Sequence, residues 1–177
     1  MARILILYYT TDGHTRKICD RLREVIETQG HEVAVLSVLE EPGVKLDDFD
    51  RIVIGASIRY GKHSAQLYDF IHRHADILNA RPSTFFSVSV SARKEKNSHA
   101  ETNPYMRKFL RRVSWRPSRL AVFAGKIDYP RYSFFDRFMI RLIMWITDGP
   151  TDPKAVVDFT DWRQVEAFAV QIGTREK

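Results

Sequence analysis

Apolar runs with no polar alternation recur along the chain, separated by stretches in which apolar residues return every three or four positions. "RILILYY" (3–9) reads as a strand buried on both faces. "TRKICDRLREVIETQG" follows as an amphipathic helix, with Ile18, Leu22, Val25 and Ile26 on one side and Gly30 as its stop. Further strands are expected at 31–38, 50–58, 83–91 and 119–125. A helix is expected over 64–79, with Ser64 as N-cap and Leu67, Phe70, Ile71 and Leu78 facing inward. Asn103 and Pro104 read as the N-cap and first residue of a short basic helix, "NPYMRKFLRRV". A closing helix spans 160–173, capped by Thr160.

Strands alternating with helices predict parallel βαβ units with right-handed crossovers. The expected fold is α/β: a flavodoxin-like, doubly wound five-stranded parallel sheet of order 2-1-3-4-5, forming one domain over 1–177. Residues 126–157 break the alternation and read as an insertion after strand five. Within it, "YPRYSFFDRFMIRLIMWITDGP" predicts a helix from about Ser133 that places Arg137, Arg141 and Asp148 along one side. Phe134, Phe135, Phe138, Met139, Leu142, Ile143, Trp145 and Ile146 fill most of the rest. That apolar band is wide for a surface helix, and too short and charged to span a bilayer. It suits a membrane interface or the wall of an apolar pocket; core packing and a contact between copies in a homo-oligomer remain open.

Charge sharpens this picture. The net charge is +6. Residues 93–141 carry thirteen Lys and Arg against four acidic residues, a local charge of +9. Such a block suits an anionic partner: a lipid surface, a carboxylate-bearing small molecule or nucleic acid. Nucleic acid is set aside, because no recognition fold surrounds "RKFLRRV". One cysteine, Cys19, permits no internal disulfide and reads as a packed small residue. The opening residues read as a strand rather than a signal sequence. The expectation is a cytoplasmic protein, peripheral on the inner (plasma) membrane. There is no G-x-S-x-G elbow for a hydrolase, and His72 and His74 are spaced to point apart, so no metal is expected.

The turn after the first strand carries the candidate chemistry. Thr10, Thr11, Asp12, Gly13, His14 and Thr15 lead into the first helix, whose end offers unpaired N–H groups and a positive dipole. Neither a P-loop nor a dinucleotide fingerprint is present, so the threonine hydroxyls and backbone suit a phosphate monoester instead. In this topology the loops after strands three and four lie beside that turn. The first holds Tyr60-Gly61, able to set a ring or bare backbone against a flat ligand, and the second supplies hydroxyls and then positive charge. A phosphate cradle beside two such loops is the layout of a non-covalent FMN site.

"TTDGHT" resembles the flavodoxin phosphate-loop pattern T/S-x-T-G-x-T, with Asp12 in place of threonine. Over nearly its whole length the chain resembles the flavodoxin-like, quinone-dependent protoporphyrinogen IX dehydrogenases of bacterial haem synthesis. The resemblance runs through "DRIVIGASIRYGKHSA", "FFSVSVSARK", "NPYMRKFL", "WRPSRLAVFAG", "YPRY", "DRFMIRLIM" and "VVDFTDW". It implies that Thr10 to Thr15 bind the FMN phosphate, with Asp12 in a backbone role. It also implies that Ser57, Ile58, Arg59, Tyr60 and Gly61, together with Ser87, Val88, Ser89, Val90, Ser91, Ala92 and Arg93, border the isoalloxazine. The implied substrate is protoporphyrinogen IX and the implied acceptor a membrane quinone. Arg131, Arg137 and Arg141 are the substrate-binding candidates, with Arg59, Lys62 and Arg93 also placed to meet carboxylates or lipid phosphates. No side chain stands out as an obligatory acid or base. An electron-carrier flavodoxin, an NAD(P)H:quinone reductase and a cofactor-free interaction module remain the rival readings.

Overall fold

The computed structural model describes residues 1–40 and 43–174. β1 (Arg3–Tyr9), β2 (Glu32–Ser37), β3 (Arg51–Ser57), β4 (Ser83–Ser89) and β5 (Arg119–Ala124) form one parallel sheet of order β2-β1-β3-β4-β5, as expected. The period of two along β1 sends Ile4, Ile6 and Tyr8 to one face and Leu5 and Leu7 to the other. On the first face, α1 (His14–Glu27) and α6 (Trp162–Gly173) bury Ile18, Leu22, Ile26, Val165, Phe168 and Ile172. On the second, α2 (Ala65–Arg73), α3 (Ala75–Ala80) and α4 (Pro104–Arg112) cover the sheet with Leu67, Phe70, Ile71, Leu78, Met106 and Phe109. Gly55 of β3 pairs with Phe86 of β4, and the Phe86 ring occupies the space of the missing side chain: a Cβ there would lie 2.0 Å from it.

The caps at Ser64 and Asn103 are where the sequence puts them. Ser64 Oγ accepts from the Leu67 N–H, and Asn103 Oδ1 accepts from the N–H groups of Tyr105 and Met106. Two expectations need correction. The helix over 64–79 is broken at His74, which ends α2 and precedes α3. Thr160 does not cap α6; Asp161 does, accepting from the Arg163 and Gln164 N–H groups. The Thr160 hydroxyl instead donates to the Ala124 carbonyl at the end of β5.

The insertion has its own small core. β6 (Lys126–Asp128) and β7 (Val156–Asp158) pair antiparallel, a feature the sequence pattern does not announce. Ile127, Tyr129, Tyr132 and Met144 pack beneath α5 (Phe134–Ile146). Ser133 caps α5 by accepting from the Asp136 N–H. The helix stops at Ile146, so Asp148, with φ of 55°, lies beyond it rather than along its side.

His63 ties the loop after β3 into the core. It is buried among Phe85, Phe109 and Tyr68, and its Nε2 shares a 3.0 Å hydrogen bond with Ser87 Oγ. Burial lowers its pKa from 6.5 to about 4. Between those values the unfolded chain binds a proton that the folded protein refuses, so stability falls as pH drops from 6.5 toward 4, by about 3 kcal/mol in all. Urea titrations at pH 7 and pH 5 should show this loss in the wild type. In His63→Leu, which is less stable at pH 7, the pH dependence should shrink by roughly one proton. An unchanged slope would mean that His63 is protonated in the native core.

Candidate functional site

Every strand of the parallel sheet ends at the same edge, and the loops leaving β1, β3 and β4 meet there. With the insertion they enclose one cleft of about 750 Å³, within the usual range for a small-molecule site. The cleft takes in Thr10 to Thr15, Ser57 to Gly61, Val88 to Ser91 and Arg93. On the insertion side it is lined by Arg131, Tyr132, Met139, Ile140, Ile143 and Met144. Five residues named from the sequence are not on its surface: Lys62, which closes the turn after β3 through its backbone, and four more. Ser87 is buried beneath it, bonded to His63, and Ala92 is buried in the turn after β4. Arg137 donates to the carbonyls of Tyr129 and Tyr132, and Arg141 to that of Thr151. Both arginines fasten the insertion to itself.

The turn after β1 is built to leave donors open. Gly13 occupies the N-cap of α1 with φ of 87°, a left-handed conformation that disfavours any other residue. It has no side chain to cap the helix, so the first N–H groups of α1 stay unpaired. The Gly13 N–H itself donates to Thr10 Oγ1 at 2.9 Å and so draws the turn tight. Thr15 is 1% exposed, and its Oγ1 is the buried side-chain polar atom that lacks a partner among the described residues. A buried hydroxyl without a partner costs about 1–3 kcal/mol. At a helix N-terminus that lines a cleft, this hydroxyl is open to a partner from outside the chain. Thr11 Oγ1 lies 3.4 Å from Ser57 Oγ, linking the first two loops.

His14 faces the other way. Its Nε2 is 2.7 Å from Thr160 Oγ1 and 3.6 Å from Asp158. The Thr160 hydrogen is spent on the Ala124 carbonyl, so His14 must be the donor and carries its proton on Nε2. Burial lowers its pKa, while Asp158 opposes that shift. The imidazole thus pins α1 to the segment before α6.

Asp12, the departure from the flavodoxin pattern, is engaged by Arg59, whose Nη2 donates to the carboxylate. Burial raises the Asp12 pKa, and Arg59 pulls it back. The next residue reaches the opposite wall: the Tyr60 hydroxyl donates to Asp136 in the first turn of α5. Burial, followed by that bond, pushes the Tyr60 pKa up to about 12, and the same bond lowers that of Asp136. Arg59 and Lys62 exchange both backbone hydrogen bonds around Tyr60 and Gly61, which have φ of 50° and 73°. Two successive positive φ values define the tight turn in which glycine is at home and tyrosine is strained. At its other end α5 is held by Arg93, which donates to the carbonyl and hydroxyl of Thr147. Both loops beside the turn after β1 therefore carry α5. Sequence patterning could not find these links, because they join residues 54 to 76 positions apart.

The sheet order, the bare helix end and the neighbouring loops define a flavodoxin-type α/β protein. A flavodoxin-domain family model matches residues 5–154. The fold is also that of the oxidised flavodoxin 1 from Bacillus cereus, at a TM-score of 0.57 with 14% identity over 99% of both chains. The chain is 46% identical to the protoporphyrinogen IX dehydrogenase (quinone) of Escherichia coli over 96% of this chain and 94% of that one. It is 43% identical to the protein of that name from Leishmania major, over 94% and 73% respectively. The chain belongs to the flavodoxin-domain family and, within it, to the flavodoxin-like protoporphyrinogen IX dehydrogenases, which are oxidoreductases.

The two-ended attachment of α5 is open to test. Tyr60→Phe removes one hydrogen bond to a charged acceptor, worth about 1.5–3 kcal/mol. Amide exchange across residues 134–146 should then speed up by about tenfold to a hundredfold, while the sheet is unaffected. Unchanged exchange would show that α5 stays in place without the bond.

Proposed function

We propose that this chain is an FMN-dependent oxidoreductase that converts protoporphyrinogen IX to protoporphyrin IX and passes the electrons to a membrane quinone. The observation that carries the cofactor assignment is the unpartnered Thr15 hydroxyl at a helix end with no side-chain cap. The residues present fit a phosphate monoester. Unpaired N–H groups of α1 and the hydroxyls of Thr11 and Thr15 supply neutral donors, and Gly13 lets the backbone come close. Ser57 to Gly61 and Val88 to Ser91 would border the ring. When bound, FMN supplies a carrier that takes a hydride equivalent from one partner and gives electrons to another.

The chain's own part is binding, orientation and exclusion of water. Met139, Ile140, Ile143 and Met144 give the cleft an apolar wall, with methionines able to adapt to a bulky macrocycle. Tyr60 and Arg93 fix that wall against the loops that would flank the ring. The reduced tetrapyrrole gains aromatic conjugation on oxidation, so the site need not supply a strong acid or base.

The outer side of α5 supports a peripheral place on an anionic membrane, cytoplasmic side. Phe134, Phe135, Phe138, Trp145 and Ile146 are each at least 60% exposed. The thirteen residues of α5 extend about 20 Å, and no described helix is long and apolar enough to cross a membrane. Arg107, Lys108 and Arg111 of α4 are exposed, giving lipid phosphates cations to meet.

The test is an anaerobic assay on vesicles that contain anionic lipid and a quinone. The flavin-loaded protein should sediment with them and raise porphyrin fluorescence above the spontaneous rate, in proportion to quinone reduced. No quinone-dependent rise would refute the proposed reaction. Quinone reduction that requires NAD(P)H instead would favour a quinone reductase. Turnover without sedimentation would remove the membrane assignment alone.

A further inference from the structure

Arg59 is tethered at one point. Its Nη2 donates to Asp12, and among the described residues neither its Nε nor its Nη1 makes a hydrogen bond. The guanidinium lies 5.3 Å from the Tyr132 ring centroid and 5.9 Å from that of Tyr60. One ion pair and two rings restrict its rotamers before any ligand arrives, so little ordering entropy remains to be lost on binding. A guanidinium presents its donors in a rigid fork that matches a carboxylate, and the Asp12 contact uses only one arm.

The other cations around the cleft are placed differently. Lys126 pairs with Asp128 at 3.1 Å, and Arg93 is spent on the carbonyls of Val90 and Thr147. Arg131 lines the same cleft from the insertion; it is exposed and makes no hydrogen bond or close ion pair among the described residues. Its charge also reaches Asp12. Two arginines of the cleft therefore act on one carboxylate.

We infer that Arg59 is the carboxylate anchor that sets which apolar ring compounds this cleft accepts, with Arg131 as a second, looser contact. The ligand class is a large apolar ring bearing carboxylates, and the inference rests on the tetrapyrrole reading above. Asp12 is the tether: it holds the fork in place and leaves its open edge to the ligand. A neutral ester of the same ring keeps the apolar contacts and loses the anchor.

The experiment titrates flavin-loaded protein with protoporphyrin IX and with its dimethyl ester, followed by porphyrin fluorescence, with flavin absorbance as the check on folding. The wild type should prefer the dicarboxylate by about tenfold or more. Arg59→Gln should abolish that preference without weakening the ester, and Arg59→Lys should recover part of it. Arg131→Gln should reduce it less, and Asp12→Asn, which loosens the tether but keeps the fork, should lower it without abolishing it. An undiminished preference in Arg59→Gln would overturn the assignment. So would its loss in Asp12→Asn to the same degree, since Arg59 would then be a brace for the phosphate turn. If the wild type bound neither porphyrin, the tetrapyrrole reading would fail and the anchor with it.

Discussion

The backbone of β1 is hydrogen-bonded to β2 on one side and β3 on the other, and its side chains are packed on both faces. A strand so enclosed cannot turn until it leaves the sheet, and it does so after Tyr9. The parallel arrangement forces β3 and β4 to leave at the same edge, so three loops converge whatever their sequences. The helix that follows β1 must then start at this edge with its N–H groups exposed. Gly13 at the cap position keeps them so.

Onto that shared edge the chain adds an insertion that the fold does not require. It has a core of its own around Tyr129 and Tyr132, yet it is not independent of the cleft. Tyr60 and Arg93, one from each loop beside the turn after β1, bind opposite ends of α5. The strained conformation at Tyr60 is part of this arrangement: a tyrosine there can reach Asp136, and the glycine that would relax the turn could not. The same turn places Arg59 on Asp12. The turn after β1, the loop after β3 and the apolar wall are thus joined through two adjacent residues, Arg59 and Tyr60.

Much of this was legible in the sequence where the signal is local. Uninterrupted apolar runs mark doubly covered strands, and Ser64 and Asn103 announce their helices because a cap acts within three residues. The glycine turn into α1 was legible for the same reason. What stayed hidden depends on distant partners. β6 and β7 have three residues each and pair across about thirty positions, too short for a periodicity to register. The roles of Arg137 and Arg141 depend on carbonyls exposed by the insertion's irregular backbone. Asp12 looked unfavourable beside a phosphate because its counter-ion lies 47 residues away. His63 carried no signal, since its burial follows from Phe85 and Phe109 arriving from other elements.

The central claim is that the turn after β1 is a phosphate cradle serving a flavin in this cleft. Equilibrium titration of the apoprotein with FMN and with riboflavin, which share a ring and differ in the phosphate, tests it most directly. Several hydrogen bonds to a charged group predict FMN binding at least about 100-fold tighter than riboflavin. Equal affinities, or binding of neither, would contradict the account.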